Sequence, residues 1–226
     1  MKHTQHTALA TLTLALLTLT SCTNPNNTNN IPTPDTSTTA SSGHIPTPDP
    51  TTSTEETNHY SGGSKAPAGE YRPADEHGPA QNVPRPTRPE GMNLETPEAM
   101  EKFINYWNDM RNYANQTGDV TGVQALIDES FEQEQDFYEA LKEIYNSDGW
   151  IVGGQVEIIY DKNSLTSLGD GNYSIGSNIN VQDSVLWYNG EATYSDNSQS
   201  ALTGTELQLK YTDGAWKIIG AKKVGN

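Results

Sequence analysis

The sequence predicts an α+β domain over residues 96–226, with three N-terminal helices packed on an antiparallel sheet. Three observations predict it. Apolar residues recur at helical spacing as far as Tyr145, then alternate with period two from Gln155 onward. Helical patterns first and strand patterns after is the order that puts helices on one face of an antiparallel sheet. All four Trp, all three Phe and nine of eleven Tyr fall in this stretch, so the surface able to drive a core is concentrated there.

The elements follow in order. Thr96-Pro97-Glu98 opens the first helix with an N-cap hydroxyl, a proline in the first turn and an acid at the positive end of the dipole. Met100, Phe103, Ile104, Trp107, Met110 and Ala114 share one face, and Gly118 closes the helix. Asp119 is expected to cap a short second helix running to Ile127. Ser130-Phe131-Glu132-Gln133 reads as a capping box. The third helix then carries Phe137, Leu141, Ile144 and Tyr145 on one side and stops at Asp148-Gly149. Five strands are expected: Gln155–Tyr160, Tyr173–Val181, Val185–Tyr194, Leu202–Tyr211 and Trp216–Val224. Asp213-Gly214 is a hairpin signal between the last two. Gly153-Gly154 reads as a bulge.

The rest of the chain is of another kind. Residues 1–21 hold Lys2 and an apolar run from Ala8 to Leu19, too short to span a bilayer, which reads as a signal peptide. Leu19-Thr20-Ser21-Cys22 follows directly and resembles the bacterial lipobox, so Cys22 is the expected lipidation site and the membrane the expected partner. This places the protein on the extracytoplasmic face of a bacterial membrane. The alternative is an ordinary signal peptide followed by an unpaired thiol. Residues 22–64 form a Thr/Pro-rich tether. Between residues 23 and 95 only 12 of 73 residues are apolar, too few to offset the entropy of ordering the backbone. Ile31-Pro-Thr-Pro-Asp35 recurs as Ile45-Pro-Thr-Pro-Asp49, a duplicated polyproline-type spacer. In extended form such a tether reaches about 200 Å, and as a coil about 50 Å. Residues 65–95 form a Pro-rich arm in which Tyr71, Val83 and Met92 either dock on the domain or belong to plain linker.

The order of features carries a resemblance. Three helices, a curved antiparallel sheet and a last hairpin reading Leu209-Lys-Tyr-Thr-Asp-Gly-Ala-Trp216-Lys-Ile218 resemble the nuclear transport factor 2-like (cystatin-like) cone. More narrowly, the lipobox, the Thr/Pro-rich tether, the Val83-Pro-Arg-Pro arm, Tyr106-Trp107 and Thr117-Gly-Asp119 resemble an uncharacterised actinobacterial lipoprotein family. The resemblance covers Ala66 to the end and implies a cysteine pair after the Thr-Gly-Asp turn. This chain has Ser130-Phe-Glu-Gln-Glu-Gln135 there, so packing alone must hold its helices. The family brings no catalytic residue.

Composition excludes much chemistry. A formal net charge of −16 argues against nucleic-acid binding, which needs Lys and Arg to displace counterions. One cysteine forbids an internal disulfide and a thiolate zinc cluster. All five histidines precede residue 96, so the domain lacks Ser-His-Asp and Cys-His catalysis and histidine-ligated metals. Asp161-x-Asn163 through Asp170 is no EF-hand, because Leu165 and Thr166 occupy ligand and glycine positions. No cofactor is expected. The reading is a non-catalytic binding or interaction module, presented outside the membrane to an envelope protein or small ligand. Trp107, Tyr138, Trp187 and Tyr188 are candidates to line an apolar mouth between helix one and the sheet, or else are core. The alternative is a small isomerase- or hydrolase-like pocket enzyme that pairs Asp109, Asp119 or Asp128 with Tyr106 or Tyr113. A third expectation is a homodimer through the open sheet face.

Overall fold

A computed structural model describes residues 65–224. The signal segment, Cys22 and the tether to residue 64 lie outside the described residues. Three helices come first: α1 (Pro97–Thr117), α2 (Thr121–Gln124) and α3 (Glu132–Asn146). Eight strands follow: β1 (Trp150–Gly153), β2 (Val156–Tyr160), β3 (Thr166–Gly169), β4 (Asn172–Val181), β5 (Ser184–Tyr188), β6 (Glu191–Ser195), β7 (Gly204–Thr212) and β8 (Ala215–Val224). They form two antiparallel sheets, β1-β5-β6 and β2-β4-β7-β8, with β3 also paired to β4. The class is α+β, as predicted.

The termini of α1 are those the sequence predicts. Thr96 Oγ1 accepts the Ala99 N–H at 3.2 Å, and Gly118 at φ 72° donates its N–H to Ala114 O at 2.8 Å. The next two helix starts differ from expectation. Asp119 does not cap α2. Its carboxylate accepts the Thr121 N–H in a local turn, and α2 ends at Gln124. It stops early because Leu126 and Asp128 bond instead to β8: Ile218 N–H to Leu126 O at 3.0 Å, and Asp128 N–H to Ile218 O at 2.8 Å. Ser130 forms no capping box. Its hydroxyl donates to Asp128 Oδ1 at 2.7 Å, and α3 starts at Glu132 without a side-chain cap.

The strands also need correction. β1 and β3 were not predicted, and the expected Val185–Tyr194 strand is two strands. Asn189-Gly190, at φ 54° and 79°, turns the chain between Tyr188 and Glu191. Two successive left-handed residues match the right-handed twist of the strands they join. Gly153-Gly154 is not a bulge. Both are left-handed, at φ 73° and 69°, where the chain leaves the three-stranded sheet for the larger one. A Cβ on Gly153 would collide with the Asp183 carbonyl oxygen.

The core lies between the helices and one face of the larger sheet. Phe103, Ile104, Met110 and Ala114 of α1 meet Tyr138, Leu141 and Ile144 of α3, over Ile175, Leu207, Leu209 and Ile218. Each large side chain so buried contributes roughly 1.5–3 kcal/mol. The arm is docked. Tyr71 donates its hydroxyl to Gln116 at 2.7 Å, and Trp150 Nε1 donates to Asp75 O at 2.8 Å. Met92 is buried in the core, Trp216 Nε1 reaches Leu94 O and Tyr211 reaches Asn93 O. Val83 is half-buried.

Gly153→Ala should cost more stability than Gly190→Ala. Gly190, at φ 79°, has open space around an added Cβ, so it bears only the left-handed backbone cost of roughly 1–2 kcal/mol. Gly153 adds the clash with Asp183. Urea denaturation of both variants checks this, and equal losses would show that the close approach costs nothing.

Candidate functional site

Helix α1 presents more than an apolar stripe toward the body of the domain. Arg111 lies one residue beyond Met110 and four beyond Trp107, so it faces inward with them. Its Nε donates to Glu134 Oε1 at 2.7 Å, from α1 to the first turn of α3. Both side chains are more than nine-tenths buried. The guanidinium lies over the Phe137 ring, 4.3 Å from its centroid. Burial alone would lower the Arg111 pKa; the Glu134 carboxylate outweighs this and holds it above its ordinary value. Tyr138 is fully buried and accepts the Trp107 Nε1–H at 3.3 Å. Burial first, and then the charge of Glu134, push the Tyr138 hydroxyl well above the usual tyrosine range.

This group borders a cavity between the helices and the larger sheet. Trp107, Arg111, Phe131 and Glu134 form its helical wall, and Val156, Ile158, Ile179, Val181 and Ala221 its sheet wall. Val156, Ile179 and Val181 are buried but form a cluster of their own, apart from the main core, because they face this space. The cavity holds about 20 Å³ and is partly open. Arg111 Nη1 is itself fully buried, with no hydrogen-bond partner among the described residues. One other buried side-chain atom, Asn108 Oδ1 one turn earlier on α1, shares that condition but lies outside the cavity wall. A buried polar group left without a partner costs about 1–3 kcal/mol.

Of the predicted site residues, Trp107 lines the cavity and Tyr138 lies directly behind it. The others are elsewhere. Trp187 stacks on Trp150 in the three-stranded sheet, centroids 5.6 Å apart and planes within 10°. Tyr188 reaches Glu143 at 3.4 Å. Tyr106 packs on the outside of the core. Tyr113 lies beneath Arg85 of the arm, 5.4 Å from the guanidinium. Trp187 and Tyr188 both belong to β5, which pairs in the smaller sheet with β1 and β6 and not in the larger sheet that walls the cavity.

The aspartates proposed as bases have structural roles or stand apart. Asp119 pairs with Arg85 at 2.6 Å, and Asp128 holds Ser130. Partial burial raises the Asp109 pKa, but none of the three lines the cavity. Among the described residues no group of three or more His, Cys, Asp or Glu is placed to hold a metal ion, and no helix is long and apolar enough to cross a membrane.

The fold and site stand beside a family model whose match runs over residues 69–222, arm included. The chain belongs to DUF6318, a family of unknown function. No curated protein matches it. Solved structures resemble it at low identity. The intermembrane space region of chloroplast protein ARC6 is 10% identical, with TM-score 0.41, over 59% of this chain and 99% of that one. An NTF2-like protein of unknown function in nutrient uptake from Rhodospirillum rubrum is 13% identical, with TM-score 0.34, over 54% and 98%. A de novo designed protein with a curved β-sheet is 10% identical, with TM-score 0.26, over 51% and 95%.

The buried pair predicts an asymmetry between variants. Arg111→Ala should cost about 3–5 kcal/mol, because it strands the Glu134 charge in a dry site. Arg111→Met with Glu134→Leu removes both charges and should cost far less or stabilise. Thermal denaturation of both variants decides, and equal losses would mean that packing carries the effect. Tyr138 also predicts a pH dependence. Its folded-state pKa lies above the ordinary 10.0, so its contribution is full below pH 10 and is lost as pH rises further. Tyr138→Phe should flatten the alkaline loss of stability, measured as midpoint against pH. An unchanged slope would assign the loss to other groups, of which buried Tyr145 is the next.

Proposed function

We propose that this protein is a lipid-anchored binding module of the bacterial cell envelope. Acyl chains on Cys22 hold it to the outer face of the membrane, and the tether carries a nuclear transport factor 2-like domain clear of the surface. The domain does not catalyse; it holds a small ligand in the mouth between α1, α3 and the larger sheet. One observation carries the binding reading. Trp107 and the buried Arg111–Glu134 pair line one side of a partly open cavity whose other side is apolar. A charged pair kept at an apolar wall, where apolar residues of similar volume would be at least as stable, supports a binding role. The cavity's single carboxylate, Glu134, is already tied to Arg111, so it is poorly placed to serve as a free base.

The anchoring part rests on Leu19-Thr20-Ser21-Cys22 behind a short apolar run. Acylation there contributes about 0.8 kcal/mol per buried methylene, so several chains give firm attachment.

Two readouts test the reading. Cys22→Ala should release the protein to the medium or leave it unprocessed; unchanged fractionation and mass would defeat the anchor. For binding, the full chain carrying Cys22→Ala is titrated with 1-hexanol, hexanoate, hexylammonium and pentane while the four tryptophan indole N–H resonances are followed by NMR. At least one probe should move the Trp107 resonance and leave Trp150 and Trp187 in place. If Trp107 does not respond to any of them, the mouth is not a binding site.

A further inference from the structure

We infer that β6 is an interface between two copies of this chain: it pairs antiparallel with β6 of a second copy and joins two three-stranded sheets into one of six strands. Three observations converge on this. The first is an unguarded edge. Open strand edges invite pairing, and folds blunt them with lysine, proline, a bulge or a covering group. The other edges among the described strands carry such a device. Asn112 bonds both backbone groups of Val156 on β2. On β1, Tyr145 Oη accepts the Ile151 N–H and Asn115 donates to Gly153 O. β3 has a register shift, and β8 has a bridge to Ile127 followed by the exposed Lys222 and Lys223. β6 reads Glu191-Ala-Thr-Tyr-Ser195, with no lysine, proline or glycine. It pairs with β5 without a shift and is exposed from Glu191 to Tyr194.

The second is what that edge offers. Gly154 N–H donates to Asp183 O, so odd-numbered residues of β5 turn their backbone groups to β1 and even-numbered ones to β6. Their partners Glu191, Thr193 and Ser195 therefore face β5. The N–H and C=O of Ala192 and Tyr194 face away from it, toward no other strand. The third is self-complementarity. With a two-fold axis at Thr193, Ala192 of each copy faces Tyr194 of the other, and each such pair exchanges both N–H···O bonds. Glu191 faces Ser195, so no like charges meet across the seam, although the chain carries a net charge of −16. On the outer face of the smaller sheet, Trp150, Trp187 and Ala192 form one row and Val152, Val185 and Tyr194 the next. None is charged, and none belongs to a core cluster. Pairing carries these rows across the axis. Tyr194, 62% exposed in one copy, then lies against Ala192 of the other, a large side chain beside a small one. A strand of another protein could take the hydrogen bonds, but it would not bring this match.

Cross-linking and sedimentation test the pairing on the full chain carrying Cys22→Ala, which leaves no cysteine. Thr193→Cys puts a thiol on the axis, where facing Cα atoms stand about 4.5 Å apart, within disulfide range. It should oxidise to a covalent dimer at least about tenfold faster than Glu191→Cys, which faces Ser195 of the second copy. Sedimentation equilibrium should give a dimer. Ala192→Pro removes an outward N–H and no bond to β5, and should raise the dimer Kd at least about tenfold. Ile159→Lys, on the open face of the larger sheet, should leave it unchanged. A chain still monomeric at about 100 μM overturns the inference. Equal oxidation of the two cysteine variants overturns it as well. So does a dimer that Ile159→Lys dissociates and Ala192→Pro does not, because it is built on the open sheet face. If Ala192→Pro does not fold, the two cysteine variants decide alone.

Discussion

One side chain on α1 completes the edge of the larger sheet and fixes where β2 begins. β2 is an edge strand, so one side of its backbone has no strand partner. Asn112 supplies one. Its amide nitrogen donates to Val156 O at 2.8 Å, and its amide oxygen accepts the Val156 N–H at 2.8 Å. A primary amide carries one donor side and one acceptor side, as a peptide unit does. Asn112 therefore acts as a single residue of an additional strand. Three residues on, Asn115 donates to Gly153 O at the end of β1, and Tyr145 of α3 donates to Asn115 O. These contacts set where β1 stops and β2 starts. The start of β2 sets Val156 against Val181 and Ile158 against Ile179, which is the sheet wall of the cavity.

The cavity and the core differ in how they treat polarity. In the core the buried side chains are almost all apolar, and Trp107 donates to the hydroxyl of Tyr138. At the cavity a charged pair is retained where apolar residues of similar volume would be at least as stable. That choice costs stability and leaves Arg111 Nη1 buried without a partner among the described residues. Sites that bind commonly keep such local frustration, and purely structural cores remove it.

Much of this could be read from residue order, for reasons that differ by element. The ends of α1 were legible because Thr96, Pro97 and Gly118 act locally. β2, β4, β7 and β8 were legible because one face is buried and the other wet. The starts of α2 and α3 were not, because backbone bonds from Leu126 and Asp128 to Ile218 override local capping, and Ile218 is some ninety residues downstream. β1 and β3 are four residues each and β3 is wholly exposed, too short for a period to declare itself. Asn189-Gly190 was a readable hairpin signal within a run taken as one strand. At the site, Trp107 and Tyr138 stood out as apolar positions. Arg111 and Glu134 were missed because a charge on a helix normally marks its wet face. The available signal was their spacing, four after Trp107 and four before Tyr138.

The docked arm has a kinetic consequence. Its last residues are held by the final hairpin, with Trp216 reaching back 122 positions to Leu94 and Tyr211 reaching back 118 to Asn93. Contacts this distant in sequence carry a large loop-closure cost and form slowly. A chain that emerges from its N-terminus therefore presents the arm long before β7 and β8 exist to receive it. Completion of the domain waits on β7 and β8, Gly204 to Val224. Until they arrive, the end of the arm around Asn93 and Leu94 lacks its partners on Tyr211 and Trp216, the interval in which proteases and unwanted pairing partners have their best access to it.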